Sequence, residues 1–272
     1  MQLNIKEIIR SKSPLLARLL PRPLLRYVVR IIHQDDLNHM ISSFAGQSPE
    51  DFIRSSLDYM NVKYRIHGLE KLDIGGRYIF ASNHPFGGMD GIMIAEAVCR
   101  HFGDVRVIVN DLLLSVPQLA PIFVGVNKFG RQSTKNAREF GQMFSLDVPV
   151  VTFPAGLCSR CRKGVVCDLE WKHNFVKMAM AHRRDVVPVL VEGRLSNFFY
   201  RLSNIRTRLG IKANIEMFYL VNEMFKQGGN TFDIVVGEPV AWSKLATLGD
   251  NPKQIAARIK DKVYAIGKDA AK

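Results

Sequence analysis

A histidine and an aspartate stand six positions apart in the loop Asn83-His84-Pro85-Phe86-Gly87-Gly88-Met89-Asp90-Gly91, directly after the apolar run Tyr78-Ile79-Phe80-Ala81. A carboxylate that holds one imidazole nitrogen fixes the tautomer and stabilises the imidazolium, which makes the other nitrogen a competent general base. The glycines and Pro85 permit the close turns such a pair needs. The same residues have a purely structural reading, in which His84 ends a strand and Asp90 N-caps a helix that begins near Gly91. Asp90 is able to do both.

Other side chains carry chemistry too. Cys158, Cys161, Cys167 and His173 include a Cys-x2-Cys pair, a spacing that suits a structural zinc site as well as reduced thiols beside an active site. Arg131 precedes Ser133-Thr134, which start a helix, and a cation beside a helix N-terminus binds an anion. Arg160 and Arg194 each follow a strand, with Glu192 a partner for one of them. The basic cluster Arg201, Arg206, Arg208 and Lys212 follows Phe198-Phe199-Tyr200 and suits phosphates or a membrane interface. No nucleic-acid recognition motif accompanies these charges, and nucleic acid is not an expected partner.

The His84 loop resembles the first motif of the PlsC-like glycerolipid acyltransferase superfamily. Three more blocks follow in that family's order. Val124-Gly125-Val126-Asn127-Lys128-Phe129-Gly130-Arg131 resembles the second, Phe153-Pro154-Ala155-Gly156-Leu157-Cys158-Ser159-Arg160 the third, and Val186-Val187-Pro188-Val189 the fourth. The likeness covers roughly residues 62 to 240. It departs in two places: five residues rather than four separate His84 from Asp90, as in the hemolysin-like and aminoacyl-lipid branch, and Ala155 stands where the family has glutamate.

The resemblance implies acyl transfer with His84 and Asp90 catalytic. It places substrate against Asn83, Gly87, Gly88, Arg131, Phe153, Pro154, Gly156, Ser159 and Arg160, and Arg194, in a loop after a strand, is a further candidate for substrate binding. The acyl donor is expected to be a thioester of acyl carrier protein or coenzyme A, with no cofactor. The family's third block meets a glycerol phosphate, so Ala155 moves the expected acceptor to a lyso-aminolipid of the glycine or ornithine type. Lysophosphatidic acid is the alternative acceptor, and a non-enzymatic, hemolysin-like membrane binder is the alternative from another class.

The 272 residues are 47% apolar and 23% charged, ordinary for a globular chain with an ample core, but the formal charge of +13 is not ordinary. It favours anionic partners, including acidic carrier proteins and anionic headgroups. No apolar run reaches the eighteen or so residues of a membrane span, and no signal-peptide pattern is present. The expected location is the cytoplasmic face of the membrane, peripherally bound, and the four cysteines suit a reducing compartment.

Two parts are expected: a helical, membrane-associating segment over 1–60 and an α/β acyltransferase domain over 61–272. In the first, Arg18, Arg22, Arg26 and Arg30 recur every fourth residue beside paired leucines, with two short helices meeting near Pro21. Ser48-Pro49-Glu50-Asp51 marks the start of another helix. In the second, apolar runs predict strands over 62–67, 77–81, 105–109, 123–126, 148–153, 186–191, 213–218 and 232–236. Helices are expected over 91–100, 133–144, 172–183 and 254–267. This alternation predicts a mostly parallel central sheet flanked by helices, with ligands beyond the carboxyl ends of its strands.

Overall fold

A computed structural model describes residues 3–12, 18, 21–110, 114–126 and 140–269. Its main sheet has the strands β1 (Lys63–His67), β2 (Tyr78–Ser82), β3 (Arg106–Asn110), β4 (Phe123–Val126), β5 (Val150–Thr152), β8 (Asp185–Val191) and β9 (Thr231–Val236). Their order is β1-β9-β8-β2-β5-β3-β4. All neighbouring pairs run parallel except β8 and β9, so the sheet is mostly parallel, as the alternation predicts.

β2 lies between β5 and β8 and is buried along its whole length, which is why it reads as an unbroken apolar run rather than an alternating one. Its side chains go alternately to two helical layers. Phe80 joins Met93 and Ala97 of α5 (Met89–Phe102), and α4 (Pro49–Tyr59) packs Phe52, Ile53 and Leu57 into the same cluster. Ile79 and Ala81 face the other layer, where α6 (Asn174–His182) supplies Phe175 and Val176 and α9 (Pro252–Asp269) supplies Ile255 and Ile259. Each strand end therefore emerges between two packed layers.

The helices signalled after Pro21 and at Ser48 form, and of the stretch just before Pro21 residues 13–17, 19 and 20 lie outside the described residues. Pro21 caps α2 (Arg22–Ile31), with a proline in its first turn, and α1 (Ile5–Lys12) precedes it. α3 (Gln34–Ser43) follows, and Ser48 caps α4 by accepting from the Asp51 N–H at 3.1 Å. Among the described residues no helix is long and apolar enough to cross a membrane.

Some expectations need correction. Residues 213–218 are not a strand; Ile215–Tyr219 is a 3-10 turn that runs into α8 (Leu220–Phe225). Glu216 at its centre is fully buried between two arginines, and that ion cluster holds the backbone in a tight turn. Of the helix expected over 133–144, residues 140–143 are helical and the earlier ones lie outside the described residues. The sequence reading also passed over a hairpin of β6 (Arg160–Arg162) and β7 (Val165–Cys167), and helix α7 (Asn197–Arg208), capped by Ser196.

The amino-terminal end of the sheet is closed by Arg184, which has no exposed surface. Its guanidinium donates to the carbonyls of Phe144 and Val148 at 2.9 Å, to that of Tyr78 at 3.3 Å, and to that of Leu146. Desolvation pulls its pKa down to about 10, which still leaves it charged at neutral pH.

Candidate active site

His84 leaves the carboxyl end of β2 on the loop to α5, and Asp90 lies in the first turn of that helix. Gly87 takes φ +75°, a conformation that favours glycine, and folds the loop back so that the two side chains meet. His84 Nδ1 is 3.0 Å from Asp90 Oδ2, so the five intervening residues leave the pair in direct contact. Asp90 also accepts from the Phe86 N–H at 3.0 Å and from the Gly91 N–H at 2.9 Å. Its carboxylate is fully buried, and since Gly88 holds the N-cap position with no side-chain cap, Asp90 sits inside the first turn rather than capping the helix.

The ring of His84 stacks on Phe153, with centroids 4.2 Å apart. Its Nε2 has no protein partner among the described residues, and 14% of the side chain is exposed. One nitrogen is held and the other faces outward, which is the arrangement of a general base.

The backbone of His84 is clamped from a second direction. Its N–H donates to Asp168 Oδ1 at 3.2 Å, and its carbonyl accepts from the Ser159 N–H at 2.8 Å. Ser159 Oγ donates to the same Asp168 oxygen at 2.5 Å, and Trp171 Nε1 donates to the other at 2.8 Å. The Asp168 N–H donates to the Tyr264 hydroxyl at 2.8 Å, and Lys260 Nζ reaches the Asp168 carbonyl at 2.7 Å. Asp168 thus ties the His84 loop, the third block and α9 into one unit. The sequence reading missed it, although it follows directly on Cys167 of the cysteine set.

The other expected site residues are placed as follows. The Asn83 side chain bridges to β8, donating to the Val191 carbonyl at 2.9 Å and accepting its N–H at 2.7 Å, so the amide is spent on the protein backbone. Phe153 lies against His84, and Pro154 and Ala155 are buried, Ala155 in the apolar cluster with Trp171 and Phe175. Gly156, at φ +67°, donates its N–H to the Phe153 carbonyl at 2.9 Å. Gly87 and Gly88 lie under α8, where an added β-carbon would meet Leu220 at 3.0 Å and Met224 at 3.3 Å.

Arg160 is buried, and its guanidinium donates to the Cys158 carbonyl at 2.8 Å and to Glu216 Oε1 at 3.1 Å. Arg206 Nε stands 2.8 Å from the other Glu216 oxygen, an ion pair without the alignment of a hydrogen bond. Arg194 is exposed and donates to Asn197 at 2.7 Å rather than pairing with Glu192. Arg131 lies outside the described residues.

The zinc reading of the cysteine set does not survive. Cys161 pairs with Val166 and Cys167 with Arg160 across the hairpin, which sends the two thiols to opposite faces. Cys158 is buried beside Arg160, and His173 precedes α6. Among the described residues no group of three or more histidines, cysteines or acids is placed to hold a metal ion. Burial pushes the Cys158 thiol up to about 11, which keeps it protonated and without nucleophilic character at neutral pH.

Residues 7–270 match the family described as Acyltransferase. The lyso-glycine lipid O-acyltransferase of Bacteroides thetaiotaomicron is 39% identical over 269 residues, covering 97% of each chain. The enzyme of the same name from Phocaeicola vulgatus is 40% identical over 269 residues, covering 97% of this chain and 95% of that one. The crystal structure of the 1-acyl-sn-glycerophosphate (LPA) acyltransferase PlsC from Thermotoga maritima aligns over 97% of both chains with a TM-score of 0.51 at 15% identity, which establishes a shared fold.

Proposed function

The chain belongs to the acyltransferase family, and we propose that it transfers a fatty acyl group from a thioester to the hydroxyl of a lyso-aminolipid, such as a lyso-glycine lipid, at a membrane surface. The observation that carries the mechanism is His84 Nδ1 held 3.0 Å from the buried Asp90 while Nε2 is left for substrate. Nε2 takes the acceptor hydroxyl proton, and the acceptor oxygen attacks the thioester carbonyl. As the C–S bond breaks, the departing thiolate takes the proton back from the imidazolium. Asp90 holds the tautomer and balances the transient charge. No covalent enzyme intermediate is needed, in keeping with a protonated, buried Cys158.

The backbone N–H groups around Gly87 and Gly88 are the donors proposed for the oxyanion, each worth roughly 3 kcal/mol in acyl transfer. The acceptor follows from the two relatives' names and from the third block. Ala155 brings no carboxylate there, and the Arg160 guanidinium is buried and turned to Glu216 and the Cys158 carbonyl. A site whose buried cation is already paired has little to offer a phosphate monoester. The donor is proposed to be acyl carrier protein or coenzyme A, both of which suit a net charge of +13.

The test is acyl transfer by purified protein from matched acyl carrier protein and coenzyme A thioesters, with lyso-glycine lipid and lysophosphatidic acid offered as acceptors. Transfer to the aminolipid is expected, with a loss of about 10³-fold in kcat for His84→Ala. Transfer to lysophosphatidic acid alone would overturn the acceptor, and full activity in His84→Ala would overturn the mechanism.

A further inference from the structure

Apolar side chains left on a protein surface are normally scattered. Here they gather. α7 carries Phe198 and Ile205 at helical spacing on one face, its C-cap Leu209 continues the line, and the three are 47%, 54% and 69% exposed. Its opposite face buries Phe199, Tyr200 and Ser203. Exposed Arg201, Arg208 and Lys212 flank the stripe. α2 repeats the pattern, with Leu24 and Tyr27 exposed among Arg22, Arg26 and Arg30.

The two helices are joined through the 3-10 turn. The Tyr27 and Tyr219 hydroxyls are 2.9 Å apart, and the Phe198 and Tyr219 rings meet edge-on at 5.0 Å. Phe218 lies exposed beside them. From Gly193 to Ile215 there is no aspartate or glutamate, and none from Arg18 to His33. Within these two stretches the charged side chains that flank the apolar stripes are cations.

We infer that α7, α2 and the turn between them form one face that lies on an anionic bilayer, with the apolar stripes at headgroup depth and the arginines on lipid phosphates. Apolar side chains ringed by arginine and lysine, with no acidic residue among them, match an interface that is apolar below and negative above. The face also adjoins the site. Leu220, next in the chain after Tyr219, packs against Gly87, and Met224 lies against Gly88. α8 thus links this face to the loop of His84 and Asp90. This assignment refines the membrane location proposed above and names α7 as a contact in its own right.

The experiment is co-sedimentation of the full chain with vesicles of phosphatidylcholine alone and of phosphatidylcholine with phosphatidylglycerol. The wild type is expected to bind only the anionic vesicles. Ile205→Asp with Leu209→Asp should lower that binding about tenfold or more while leaving the thermal midpoint and turnover of a short-chain, detergent-dispersed acceptor unchanged. Arg201→Gln with Arg208→Gln, which introduces no charge of opposite sign, should weaken it several-fold and serves if the first pair does not fold. Unchanged binding of these variants, or equal binding of the wild type to neutral vesicles, would overturn the proposal. So would a shift from dimer to monomer in light scattering with vesicle binding intact, because the stripe would then be a contact between copies. Vesicle binding without acyl transfer would overturn the reaction and leave this face standing.

Discussion

The two ends of the sheet bury charge in opposite ways. At the amino-terminal end Arg184 is sealed with carbonyl oxygens as its hydrogen-bond partners. At the carboxyl end three acids are buried, Asp90, Asp168 and Glu216, each met by its own set of donors, Glu216 by the buried Arg160 among them, and beside them one titratable ring is left partly open. Both arrangements cost desolvation, and both are offset by hydrogen bonds. The difference teaches that burial of charge does not mark a site. What marks it is a group with one side fixed and the other free to exchange a proton.

That contrast can be broken at either end. Arg184→Met should cost on the order of 4 kcal/mol, because several carbonyls lose their donor in a closed interior. Denaturant unfolding would measure it, and kcat of the molecules that remain folded should not change. If kcat fell as far as stability, the amino-terminal end would not be purely structural.

Asp168→Asn tests the other end. The amide oxygen can serve Ser159 and the His84 N–H or else Trp171, and its NH2 then opposes the remaining donor, so the clamp on the His84 backbone is weakened. Asp168 acts through His84 and is a positioning residue, and the expected effect is about 10²-fold in kcat with KM little changed. A loss carried by KM would instead place Asp168 in substrate binding.

Cys158→Ser sharpens the comparison on a smaller scale. The thiol value is raised from 9.0 to about 11 by burial, so its contribution to stability is complete below pH 9 and fades as pH rises through 11. Wild type should lose on the order of 2 kcal/mol across that window from this group. The serine variant does not titrate there and should show a flatter alkaline limb in unfolding curves.

The seven strands of the main sheet, its type and the His84 loop were legible because each is a local pattern: a short apolar run, or two functional groups within one loop. Asp168 was not, since it reaches His84 across 84 positions of sequence and carries no motif of its own. Glu216 was misread with its segment as a strand, because alternation of apolar residues does not reveal that two arginines from elsewhere will pull the carboxylate inward. The hairpin left a signal that was passed over: Lys163 and Gly164 both take positive φ, and a glycine in a two-residue turn between short runs is a hairpin cue. The stripe on α7 was half visible, as arginines beside aromatics, but which side of the helix faced outward required the fold.

The bond between the Asp168 N–H and the Tyr264 hydroxyl spans 96 positions of sequence, and β1 pairs with β9 across 168, Lys63 against Thr231. During synthesis the first of these partners waits for the second. The His84 loop and Asp90 emerge early, yet the sheet edge waits for β9 and the support that Tyr264 gives Asp168 waits for α9. A chain made only as far as β8 therefore carries the reactive pair without the sheet edge and the Tyr264 contact that support it.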